Sequence, residues 1–241
     1  MDNKPIIALD FSDISELEDF LSHFSHEQLS VKVGMELFYS QGPQIIQTIK
    51  EKEHAIFLDL KLHDIPNTVK RAMASLSRMG VDMVNIHAAG GQAMMEAARE
   101  GVKQGTPAGQ KEPILLAVTQ LTSTSQEQMR REQATALSVR ESVLHYARLA
   151  YNAGVDGVVC SALEAASVCS ITDQSFLRVT PGIRPEGSEK DDQSRVLTPF
   201  EAKQAGATHI VVGRPVIQAQ HPFLAYESVF KEWKGEISDD N

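Results

Sequence analysis

The chain of 241 residues carries 32 acidic against 23 basic side chains, a formal net charge of −9, with 42% hydrophobic residues. That balance argues against a nucleic-acid backbone or an anionic membrane as the main partner, so any phosphate site must be local, built from individual Arg, Lys and backbone N–H groups. Cys160 and Cys169 show no metal-type spacing and form no disulfide framework, no signal peptide is evident, and no apolar run approaches the roughly 20 residues a membrane span needs; a soluble, cytoplasmic protein is expected.

Taken in order, the pattern alternates short apolar runs with amphipathic ones. Residues 5–10 read as a strand ending in an acid, and 14–24 as a helix with Ser12 or Asp13 as N-cap. A second strand covers 31–34 and a helix 44–52, followed by a strand over 55–62. A helix over 68–78 stops at Gly80, a usual residue just beyond a helix end. Then come a strand at 81–87, a helix at 92–103, a strand at 114–119 and a long helix at 138–152. A strand at 157–160, a helix at 163–170 and a strand at 176–180 follow. Residues 185–195 are polar and charged and read as a mobile loop. The series closes with a helix at 199–206, a strand at 209–212, a further helix opened by Gly213-Arg214-Pro215, and a frayed acidic tail over 236–241. Eight strand–helix units without a linker-like shift in composition predict an α/β fold, a single (β/α)8 TIM barrel over 1–241, with no short internal repeat beyond the alternation itself.

In such barrels the chemistry gathers at the C-terminal ends of the strands. Here those ends offer Asp10, Lys32, Asp59 with Lys61, His87, Thr122, Cys160, Pro181 with Arg184, and Gly213 with Arg214. The third strand carries the sharpest signal. Asp59 and Lys61 interrupt an apolar run, and residues two apart share a face. Unpaired buried charge is costly, so the two are expected to meet at a mouth, with Asp64 just beyond. The plain alternative is a structural ion pair. The sharper reading is a lysine between two carboxylates, built to hold charge and move a proton. Gly213-Arg214 has the character of a phosphate site, against the alternative of a turn with a surface Arg. Cys160 and Cys169 read as buried small apolar side chains. His63 and His87 lack metal-type spacing, His63 is expected to point away from Lys61, and no metal is expected.

Asp59-x-Lys61-x-x-Asp64-Ile65-x-x-Thr68 resembles the signature of the orotidine 5′-phosphate decarboxylases. Asp10, Val31-Lys32-Val33-Gly34, Leu121-Thr122-Ser123, Thr180-Pro181-Gly182-Ile183-Arg184 and Val211-Val212-Gly213-Arg214-Pro215 also resemble the family's blocks, in its order, so the likeness covers essentially the whole chain. It implies cofactor-free conversion of orotidine 5′-monophosphate to uridine 5′-monophosphate and carbon dioxide. By that resemblance Asp10 and Lys32 hold the ribose, and Asp59 and Lys61 lie at the reacting carbon. Thr122 and Pro181 meet the pyrimidine, while Arg184, Gln193, Gly213 and Arg214 match phosphate and loop contacts. Asp64, Ile65 and Thr68 match residues that reach a neighbouring subunit's site, which implies a homodimer with shared sites. Two alternatives stay open: a magnesium-dependent barrel acting on a phosphorylated sugar, which reuses the Asp-x-Lys-x-x-Asp pattern, and a non-catalytic nucleotide-binding barrel.

Overall fold

The structure, a computed structural model, describes residues 3–185 and 196–236. The loop expected over 185–195, with Gln193, and the tail expected over 236–241 therefore fall outside the described residues, apart from Pro185 and Glu236. Eight parallel strands close into one barrel: β1 (Ile6–Ala8), β2 (Ser30–Gly34), β3 (Ala55–Leu62), β4 (Met83–His87), β5 (Ile114–Val118), β6 (Gly157–Val159), β7 (Leu177–Thr180) and β8 (His209–Val212), with β8 paired back onto β1. The connecting helices are α1 (Ile14–Ser22), α2 (Met35–Gln41), α3 (Gln44–Lys50), α4 (Pro66–Arg78), α5 (Gln92–Gly105), α6 (Gln126–Glu132), α7 (Val139–Asn152), α8 (Ala162–Ile171), α9 (Pro199–Gln204), α10 (Arg214–Ile217) and α11 (Pro222–Lys234). The expected TIM barrel is present.

The strand pleat sorts side chains into two cores. Ile6, Ala8, Phe57, Met83, Leu116, Val179 and Val211 fill the barrel, whereas Ile7, Ile56, Leu58, Val84, Leu115 and Ile210 face the helices. Alternate positions along one strand point to opposite faces, so β3 sends Phe57, Asp59 and Lys61 inward as one row. Helix starts follow the local chemistry. Asp13 caps α1, its carboxylate accepting the Ser15 N–H at 2.6 Å, and Ser138, Ser161 and Thr198 form capping boxes with Glu141, Glu164 and Glu201. Asp10 is thus left out of the helix cap that an acid at a strand end could have formed.

Several details depart from the sequence expectation. A short, one-sided helix is hard to read from periodicity, and α2 buries only Leu37 and α6 only Met129. The single helix expected from Gly213 is two, because Pro222 starts a new helix after α10 has ended. Cys169 is only half-buried, its thiol near the Asp173 carbonyl, while Cys160 is buried. A short repeat also exists. At the starts of β4, β6 and β8 a glycine with positive φ (Gly80, Gly154, Gly206) comes two residues before an oxygen-bearing side chain. Asp82 Oδ2 accepts the Ile56 N–H at 2.8 Å, Asp156 Oδ2 the Leu115 N–H at 2.7 Å, and Thr208 Oγ1 the Arg178 N–H at 2.8 Å. Each satisfies a backbone donor at the barrel's lower end, opposite the charged strand ends. Among the described residues no helix is long and apolar enough to cross a membrane.

Candidate active site

The inward row of β3 rises from apolar to charged. Above Phe57, Asp59 is buried at 8% exposure. Its Oδ1 lies 2.7 Å from Lys61 Nζ and its Oδ2 3.5 Å from Lys32 Nζ, on the neighbouring strand β2. Lys32 Nζ also lies 3.2 Å from Asp10 Oδ1. Burial pushes the Asp59 carboxyl up, but the charges of Lys32 and Lys61, with hydrogen bonds from Lys61 and Asn85, outweigh it and leave the group below the usual carboxylate range. Asp59 is therefore an anion at neutral pH, and two amines from adjacent strands converge on it.

These charges form part of the wall of a cavity of about 280 Å³ in the barrel mouth. Lys32, Asp59, Lys61, Thr122 and Pro181 line it together with Gln120 and the apolar side chains Phe57, Val118, Val159 and Val211. An amine fixed against a carboxylate over an apolar surface can stabilise negative charge developing on a ligand, because few water dipoles compete there. Among the described residues no group of three or more His, Cys, Asp or Glu side chains could hold a metal ion.

The other expected site residues sit around this cavity. Asp10 is exposed and lies between two glycines: a Cβ on Gly34 would come 3.7 Å from Asp10 Oδ1, and one on Gly213 would come 3.5 Å from Oδ2. Both are ordinary van der Waals contacts, so a methyl group at either glycine would stand directly against Asp10. Gly213 is the residue before α10, whose first residue Arg214 is half-buried. Arg184 is buried, and one of its guanidinium N–H groups donates to the Ile183 carbonyl at 3.0 Å. Asp64, Ile65 and Thr68 stand on an exposed rim from His63 to Thr68, with Ile65 66% exposed. The Asp64 carboxylate accepts its neighbour Ile65's N–H at 2.6 Å and, among the described residues, makes no ion pair with Lys61. Within one chain the reading of a lysine between two carboxylates is therefore reversed: a carboxylate sits between two lysines.

Two features escaped the sequence reading. Asn85, 1% exposed on β4, donates from Nδ2 to Asp59 Oδ1 at 2.6 Å and accepts the Lys61 N–H on Oδ1 at 2.7 Å. A polar residue inside the apolar run 83–86 was the available signal, of the same kind that singled out Asp59. Gln120 exchanges side-chain amide hydrogen bonds with Gln133 (3.0 and 3.3 Å) and donates to Ser142 at 2.9 Å, tying the rim after β5 to α7. His87, at the end of β4, stands with its ring 5.7 Å from that of His63. Burial and the nearby charges of His63 and Lys61, against that of Asp59, hold the His87 imidazole below its usual range.

Known proteins resemble this chain over nearly its whole length. The model of the family described as orotidine 5′-phosphate decarboxylase / HUMPS matches residues 3–229. The chain belongs to the orotidine 5′-phosphate decarboxylase / HUMPS family. Within it, a Listeria welshimeri protein named orotidine 5′-phosphate decarboxylase is 61% identical over 96% of this chain and 99% of its own length. A Geobacillus protein of the same name is 56% identical over 98% of this chain and 99% of its own. The crystal structure of orotidine 5′-phosphate decarboxylase from Lactobacillus acidophilus superposes with a TM-score of 0.86 at 43% identity, covering 96% of this chain and 99% of that one.

Proposed function

We infer that the protein decarboxylates orotidine 5′-monophosphate to uridine 5′-monophosphate, the last step of UMP biosynthesis. The observation that carries this reading is the Lys61 amine, 2.7 Å from the buried anionic Asp59, in the wall of the barrel cavity. Close, near-full-length relatives named for this reaction support it over the magnesium-dependent alternative. Breaking the bond from C6 to the carboxylate releases carbon dioxide and leaves the electron pair on C6, in the plane of the ring, where the π system cannot spread it. A cation held beside C6 stabilises that pair, and preorganised charge costs no rearrangement when the reaction occurs. Lys61 then gives a proton from Nζ to C6, and the amine takes one back from solvent. Asp59 favours the protonated form of Lys61 and keeps it aimed.

Thr122 and Pro181, in the cavity wall, are assigned to the pyrimidine, and Asp10 with Lys32 to the ribose. Gly213 and Arg214, with Arg184 and Gln193, are assigned to the phosphate, whose grip supplies binding energy remote from the reacting carbon. The exposed rim bearing Asp64, Ile65 and Thr68 supports a homodimer in which Asp64 of one copy faces Lys61 of the other. Ile65, 66% exposed on that rim, is apolar surface that such an interface would cover. We assign the enzyme to the cytoplasm.

The test is direct. With a chelator present, adding orotidine 5′-monophosphate to the protein should cause steady loss of the orotate-ring ultraviolet absorbance. Turnover that stops with chelator and returns with magnesium would favour the phosphorylated-sugar type of barrel, and no absorbance change at all would overturn the reading.

A further inference from the structure

The strand that carries Lys61 is not regular. β3 and β4 pair in register at Phe57 with Met83 and Leu58 with Val84, and then not again until Leu62 with Ile86. Residues 59–61 of β3 thus lie beside Asn85 alone, a bulge on one side of the ladder. Lys61 carries the bulge's cost. Its φ is 51°, in the left-handed region, where an L residue with a Cβ is disfavoured by about 1–2 kcal/mol. A backbone in that state persists only where its surroundings over-determine it.

The Asn85 side chain supplies that determination. Its carbonyl accepts the Lys61 N–H, which the bulge has turned away from the ladder, and its amide N–H donates to Asp59 Oδ1. Lys61 Nζ binds the same oxygen, at 2.7 Å, so backbone, amide, carboxylate and amine close a ring. The amide's orientation follows from its partners, since one is a donor and the other a carboxylate. Asn85 is itself held rigid on its far side, because β4 pairs with β5 at Asn85 and Leu116. It is not part of the cavity wall.

We propose that Asn85 is a positioning residue for the decarboxylation: it locks the left-handed backbone of Lys61 and the carboxylate of Asp59 to β4, and so sets where the Lys61 amine stands. The proposal rests on Lys61 being the proton donor. Without the amide, the Lys61 N–H loses its acceptor and the strained backbone can relax. Lys61 would then leave its place while the ligand's ribose and phosphate contacts stay intact. A misplacement of about 1 Å can cost on the order of 100-fold in rate.

Asn85→Ala is therefore expected to lower kcat roughly 100-fold, with affinity for uridine monophosphate within about threefold of the parent, since Asn85 does not line the cavity. A purely structural role would lower the melting temperature and leave kcat of the folded protein unchanged. Folded Asn85→Ala with kcat within twofold of the parent would overturn the proposal. Should the variant not fold, hydrogen exchange of the Lys61 amide in the parent decides. Protection comparable to its β3 neighbours supports the lock, and exchange at the rate of an exposed loop refutes it. Lys61→Ala, measured alongside, separates the two levels. If that variant turns over, the reading of the site fails; if it is inactive while Asn85→Ala matches the parent, only the role of Asn85 fails.

Discussion

His54 shows how a single side chain can make folding depend on pH. Its Nδ1 accepts the buried Leu29 N–H at 3.2 Å, which only a neutral ring can do. Burial, then the charge of Lys52, lowers its pKa in the folded protein. The unfolded chain takes up this proton near pH 6.5, the folded chain only at lower pH. Stability from His54 is thus complete above about pH 6.5 and declines as pH falls from there toward the folded value. His87, also lowered, acts in the same direction. Asp59 enters later: its folded pKa is depressed, so its contribution is full above the unfolded carboxyl value and is lost as pH falls through the folded one. Thermal unfolding followed between pH 7 and 5.5 should show the parent losing more stability than His54→Asn, with His87 leaving a residual slope in the variant. Equal slopes would remove His54 from the account.

Among the elements, α4, whose first turn carries Thr68, packs closely against α5. Gly101 and Gly105, four residues apart on α5, lie directly on the backbone of α4. A Cβ at Gly101 would come 2.2 Å from the Lys70 carbonyl oxygen, and one at Gly105 equally close to that of Ala74. Two opposed effects can be weighed. Ala in place of Gly inside a helix normally gains about 0.5–1 kcal/mol, whereas overpacking costs about 1–3 kcal/mol. Contact with rigid backbone makes the second effect win. The net loss is up to about 2.5 kcal/mol, so Gly101→Ala should lower the melting temperature by up to roughly 10 °C, at about 2–4 °C per kcal/mol for a domain of this size. A rise in melting temperature would mean that the helices can separate without penalty. No sequence signal marked this pair: the helix was expected to end at 103, with Gly105 in a polar loop beyond it, and Gly101 reads locally only as a weak spot, because its reason lies on another helix.

At the scale of the whole molecule, the barrel was legible because strand and helix alternate with clear apolar runs and punctuation by Gly and Pro. Asp59 and Lys61 were legible for a related reason: charge inside an apolar strand has to be explained. Asn85 is neutral, and its importance depends on a bulge in β3 that period-two alternation cannot foresee. Alternation paired Asp59 with Lys61, but it says nothing of Asp64, which follows the strand and lies exposed on the rim. If Asp64 completes the charge arrangement from a neighbouring copy, then the site belongs to the dimer. Subunit exchange between two inactive variants tests this most directly. Lys61→Ala and Asp64→Ala should each be nearly inactive alone. An equal mixture at exchange equilibrium should recover about a quarter of the parent's turnover, because half the dimers are mixed and each of those holds one intact site of two. Turnover by Lys61→Ala alone, or no recovery once mixed dimers are verified, would contradict the account.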